Sequence, residues 1–166
     1  MTLLLAVVGA TFASLVELTV GPYFRFGGAQ PHLVLVLAVL VTVIVGFEAG
    51  VVWAFVGGVL LDVLAQRPLG SSAFALLLAV GGATILAGLL ARLRPVVPVI
   101  AVLALSFVYS MSIYVTYGAL RAQIPVDDPA ALLVPGIVYD TFLAALIGPL
   151  AVAIHDRRGE PERVDW

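Results

Sequence analysis

The sequence predicts an all-α fold, a polytopic membrane protein built as a six-transmembrane-helix bundle, and three observations point there. Of 166 residues, 63% are hydrophobic and 11% charged, with a mean hydropathy of +1.19. A soluble domain of this size could not hide so much apolar surface from water. Apolar runs of membrane length recur along the whole chain, parted by short stretches that hold most of the charges. Within those runs small residues return every four positions, the spacing of one face of a helix. No repeat and no low-complexity tail divides the chain, so residues 1–166 read as a single transmembrane domain.

The expected spans are 2–20, 32–46, 49–66, 71–91, 95–118 and 131–154. The first, from Thr2, lacks the positive leader of a signal peptide and reads as a retained span. From Leu33 to Leu61 the sole charge is Glu48. One helix through that run would be about 44 Å long, against a hydrocarbon core of about 30 Å. The run must therefore fold back, and Gly46-Phe47-Glu48-Ala49-Gly50 is the corner, with Glu48 at the membrane surface. Pro31 suits the first turn of the second span, and Ser71 or Ser72 suits the cap of the fourth. Pro95 and Pro98 crowd the start of the fifth, and Asp127-Asp128-Pro129 opens the sixth. Aromatics around Arg25, from Tyr23 to Phe26, fit an interfacial belt.

Arginine placement sets the expected orientation. Arg92, Arg94, Arg157, Arg158 and Arg163 fall on one side, five against Arg25, Arg67 and Arg121 on the other. The positive-inside rule then puts both termini in the cytoplasm. A net charge of −2 with no long basic run argues against nucleic acid as a partner. With no cysteine there is no disulfide, thiolate nucleophile or cysteine-bound metal.

Gly46, Gly50, Ala54 and Gly58 make a shallow groove that leads to Asp62. Gly136, Asp140, Ala144 and Gly148 repeat the device in the last span, Ala79, Ala83, Ala87 and Ala91 in the fourth, and Ala6 and Ala10 in the first. Helices in lipid associate by close backbone packing, which such spacing permits. The groove at Gly50, Ala54 and Gly58 serves either to pack the bundle or to dock a helix from a partner. Asp140 lies roughly 13 Å into its span, near mid-membrane, where a carboxylate must face protein or water. Glu17, Asp62 and Asp140 share the outer half with Arg25, Arg67 and Arg121 on the rim above. The expected arrangement is an acid–arginine network fixing the outer helix ends, because no carboxylates continue to the other face as a proton relay would need. Asp62 would lock the Arg67-Pro68-Leu69-Gly70 turn.

His32, Asp62 and Ser71 or Ser72 could be imagined as a catalytic triad, but no Gly-x-Ser-x-Gly turn accompanies them. His32 reads as a helix-start residue and His155 as a headgroup anchor, and two isolated histidines make no metal site. The chain reads as a non-enzyme without cofactor.

Gly50 through Gly58, then Val59-Leu60-Leu61-Asp62, then Pro68-Leu69-Gly70 resemble the pattern of the MreD family of bacterial rod-shape-determining proteins. In that family a glycine-rich helix ends in Leu-Leu-Asp and leads through a Pro-Leu-Gly turn to the next span. The resemblance is sharp over residues 46–80; elsewhere chain length, span count and Tyr139-Asp140 agree. The ending from Gly159 to Trp166 is not a family feature, and no role is carried onto it. The resemblance implies a non-enzymatic scaffold of the cell-wall elongation machinery in the bacterial inner membrane. The partners it implies are MreC, the glycosyltransferase RodA with its penicillin-binding partner, and the actin-like MreB. It also implies a fold similar to the substrate-binding components of energy-coupling-factor vitamin transporters. A transporter subunit of that kind, docking through Ala6 and Ala10, is the alternative function, though the short outer loops offer few groups for a vitamin-sized ligand.

Overall fold

The computed structural model describes residues 1–25, 30–90, 96–120 and 129–159, with side chains of the last segment described over 133–155. These residues form helices α1 (Thr2–Val20), α2 (Leu33–Ile44), α3 (Phe47–Leu64), α4 (Ser71–Leu89), α5 (Val97–Ala119) and α6 (Pro129–Gly159), with a single 3-10 turn, Gly21–Phe24, after α1. The architecture is an all-α polytopic membrane bundle, and five helices are long and apolar enough to cross a bilayer. Phe26, Ala91, Arg92, Arg94, Pro95, Arg121, Asp127, Asp128, Arg163 and the side chains of Arg157 and Arg158, which carry much of the expected belt, orientation and capping, lie outside the described residues.

The expected second span matches α2 closely at its ends but does not cross the membrane. It reaches over 12 residues only, about 18 Å by helical rise, little more than half a hydrocarbon core. Its position explains how so short a helix survives. The helices α1, α3, α4, α5 and α6 follow one another side by side, and α2 packs against all five. Val34, Leu35, Val36, Ala38, Val39 and Leu40 are all buried, as befits a helix that is apolar all round. Lipid is faced by the outer helices instead, through large side chains such as Phe12, Phe55, Phe74, Phe107 and Phe142.

Close contacts fix the helix directions. Gly9 lies against Trp53, and Ser14 Oγ is 3.3 Å from the Gly57 carbonyl, so α1 and α3 run parallel. Gly57 meets Val34 and Gly50 meets Thr42, so α2 runs against α3. Pro98 meets Gly148 and Ser106 meets Asp140, so α5 opposes α6, and Gly82 of α4 packs on Leu105 of α5. Because Val34 is level with Gly57, α2 begins seven residues short of the end of α3, about 10 Å inside the bundle.

Two turns join these helices as the sequence chemistry requires. Gly46 adopts φ +128 between α2 and α3, leaving Glu48 exposed in the first turn of α3, where the helix dipole favours an acid. After α3, Gln66 takes φ 53, its amide bonds the Val63 carbonyl and the Arg67 amide bonds the Asp62 carbonyl, a Schellman ending. Pro68 then opens a turn closed by the Ser71 amide on the Pro68 carbonyl at 3.1 Å. Its third residue, Gly70, stands at φ 90 and ψ −11, the type II geometry that favours glycine.

Candidate functional site

The groove of small residues is filled from within the chain. A Cβ on Gly50 would strike Thr42 of α2, and one on Gly58 would lie 2.6 Å from the Ala73 amide nitrogen of α4. Ala54 between them is fully buried. The backbones of α3 and α4 thus touch at Gly58, where any side chain would hold them apart. The last-span stripe behaves alike: Gly136 faces His32, Ala144 is buried, and Gly148 faces Pro98 and Leu40. Ala10 of the first-span pair packs on Gly57, and Ala6 is buried too.

Asp62 ends the groove with no exposure. Its Oδ2 accepts the Gly70 amide at 2.8 Å and its Oδ1 accepts the Ser71 hydroxyl and the Ser72 amide, both at 3.0 Å. The Ser72 amide, a free donor of the first turn of α4, is fully buried and needs an acceptor within the bundle. The expected serine cap is therefore replaced: Ser71 donates to Asp62, and the cap of α4 is a carboxylate supplied by the preceding helix. Arg67 reaches Ser72 Oγ at 3.5 Å.

Asp140, equally buried, does the same for α2 from the far end of the chain. Its Oδ1 accepts the His32 amide at 2.8 Å, and its Oδ2 accepts from His32 Nδ1 at 2.9 Å and from the Ser106 hydroxyl of α5. The His32 ring also meets the buried Tyr109 ring edge-on at a centroid separation of 5.3 Å. Two residues further along α2, the Val34 amide donates to Glu17 Oε2 of α1 at 2.8 Å. Trp53 adds a bond from its indole nitrogen to the Val34 carbonyl at 3.2 Å.

Of the expected acid–arginine network, Arg121 lies outside the described residues, and Arg67 bonds Ser72 rather than an acid. Among the described residues the one ion pair within 4 Å is His32 with Asp140, and Asp62, Asp140 and Glu17 Oε2 accept from backbone amides, hydroxyls and an imidazole. The physical reason is depth. A helix that starts 10 Å inside the bundle exposes amides where water is scarce, and an anion at the positive end of the helix dipole answers both the unmet donors and the buried charge. Sequence reasoning missed Ser106, Tyr109 and the role of His32. The available signal was that a lone carboxylate and a lone histidine in apolar runs each need a partner.

His32, Asp62 and Ser71 do not assemble as a triad, since Asp62 holds Ser71 while His32 is bonded to Asp140. Among the described residues no three His, Asp or Glu side chains are placed to hold a metal ion. The cleft lined by Phe74, Phe107, Met111 and Val115, about 310 Å³, is apolar and opens outward between α4 and α5.

Comparison with curated proteins and with solved structures gave no match. The family model described as rod shape-determining protein MreD matches residues 1–150, which takes in all three acids, both capped helix starts and the Pro68-Leu69-Gly70 turn. The chain is a multi-pass membrane protein of the MreD family, whose role is in rod-shape determination.

Proposed function

We propose that this protein is a non-enzymatic scaffold of the cell-wall elongation machinery, set in the inner membrane with both termini in the cytoplasm. It would bind MreC and help organise peptidoglycan synthesis by RodA and its penicillin-binding partner, in register with MreB. The observation that carries this reading is the family match over residues 1–150. The site chemistry supports it. Among the described residues Glu17, Asp62 and Asp140 are buried and bonded to amides at helix starts, and large apolar side chains cover the outside. Orientation rests on the arginine count of five against three.

The vitamin-transporter alternative draws no support from the described residues. Ala6 and Ala10, its docking pair, are occupied inside the bundle. The described cleft is an apolar furrow on the lipid face rather than a polar chamber.

The test is co-purification of the tagged protein from mild detergent with mass spectrometry of what remains bound, in a strain whose reporter fusion after Gly159 reads the side of the C-terminus. MreC retained and a cytoplasmic reporter are expected. A transporter coupling subunit in place of MreC would replace the scaffold reading with the alternative.

A further inference from the structure

The helices around α2 form an open series rather than a closed ring. Each of α1, α3, α4, α5 and α6 packs on the next, but the two ends of the series, α1 and α6, do not pack on each other as those neighbours do. Rods of equal width pack about six around one, at interaxial distances of about 8–10 Å for helices. Around α2 there are five. One place beside it is therefore vacant, between α1 and α6.

The exposure of α2 marks the same vacancy independently. Its half-buried residues are Leu33, Leu37, Val41, Val43 and Ile44, and the rest of the helix is buried. At about 100° per residue, all of these but Val43 fall within an arc of about 80°, no more than one missing neighbour leaves open. Val34 and Leu40, which flank that arc, are covered. The edge helices agree. The buried residues of α1 are Ala6, Ala10, Ala13, Ser14 and Glu17, an arc of only about 100°. Of the five long apolar helices α6 is the least buried.

The stripe from Leu33 to Ile44 runs about 16 Å along the vacancy, which limits what can fill it. Within residues 1–166 the stretches outside the described helices, 26–29, 91–95, 121–128 and 160–166, are each too short to lay a helix along it. A second copy offers only helices already packed in its own bundle. Lipid chains can wet the stripe, but they bring no close-packed backbone to join α1 to α6. The floor is aliphatic throughout, so the occupant is apolar over that length. We propose that the gap between α1 and α6 docks one apolar transmembrane helix of a single-spanning partner, which completes the ring around α2. The inference rests on the scaffold reading for the partner's place in the elongation machinery, and adds the surface that the partner uses.

The experiment places a small aliphatic diazirine residue at Leu37 or Val41 of the full chain in native membranes, with the outward-facing Phe55 of α3 as control. After irradiation, mass spectrometry identifies what is attached. The expected adduct is a membrane-spanning peptide of a single-spanning protein, present at Leu37 and Val41 and absent at Phe55. Leu37→Trp should then strip that protein from the detergent-purified complex without lowering the melting temperature. Val41→Phe, a smaller intrusion, guards against a tryptophan variant that does not fold. A dimer of this chain, lipid adducts alone, or the same protein adduct at Phe55 overturns the docking place, as does a partner retained by both blocked variants. The two readings fail separately. MreC retained on purification but attached only at Phe55 overturns the gap and leaves the scaffold. A different single-spanning helix at Leu37 upholds the gap and removes MreC.

Discussion

At the start of α4 the capping carboxylate comes from Asp62, eight residues before the Gly70 amide it holds, across a turn of glycine and proline. At the start of α2 the acceptors come from Glu17, 17 residues before Val34, and from Asp140, 108 residues after His32. The first is a local device at the end of a long helix. The second depends on α1 and α6 having already packed on α2. Depth accounts for the difference: α4 starts where α3 ends, whereas α2 starts about 10 Å inside the bundle, beyond the reach of any turn residue. A submerged helix start has to borrow its acceptors from neighbouring helices.

The largest effect should come from striking the borrowed cap. Asp140→Leu leaves the His32 amide, the His32 ring and the Ser106 hydroxyl without an acceptor, at about 1–3 kcal/mol for each stranded group. Asp140→Asn keeps an acceptor and much of the geometry. Detergent-purified yield and monodispersity should collapse for leucine and fall modestly for asparagine. Equal behaviour of the two would erase the distinction between the two helix starts.

Next in size is the contact that sets α4 against α3. Gly58→Leu drives a side chain into the Ala73 backbone, while Val59→Leu alters the neighbouring face by about one methylene, so about 1–3 kcal/mol of overpacking should fall on the first alone. Thermal unfolding in detergent reads the difference. If Gly58→Leu melts like the parent yet no longer retains MreC, the groove serves a partner rather than α4.

The smallest of the three is Asp62→Ala. The amides of Gly70 and Ser72 and the Ser71 hydroxyl lose their acceptor, but only Ser71 and Ser72 are buried, and at the exposed Gly70 water can replace it. The loss should be about 1–2 kcal/mol, in the range of an ordinary N-cap, and Asp62→Asn should recover part of it. A loss as large as that of Asp140→Leu, measured as the same fall in melting temperature, would place the start of α4 as deep as that of α2.

Much of the fold was legible in the residues. The ends of α1, α2, α3, α4 and α5 fall within about two residues of the expected spans, because apolar runs broken by glycine, proline and charge leave little choice in a bilayer. The turn from Asp62 to Gly70 was legible for a related reason. Its geometry is written in neighbouring residues, with glycine at the positive φ and an acid within reach of the next helix. The groove at Gly50, Ala54 and Gly58 could be read as a place of close approach, though its neighbour could not be named.

The sequence alone determined the features set by local chemistry: an all-α membrane bundle, its corners, and three acids that need partners. The tertiary structure decided the rest. The run from Leu33 to Ile44 is as apolar as any lipid-facing helix, and in a membrane protein uniform apolarity marks a buried helix and an exposed one alike. That α2 is short, central and starts inside the bundle is fixed by the helices around it. For the same reason the partners of Glu17 and Asp140 could not be read from spacing. A hydrogen bond between residues 108 apart exists only once two helices share a depth, and depth belongs to the packed bundle rather than to the chain.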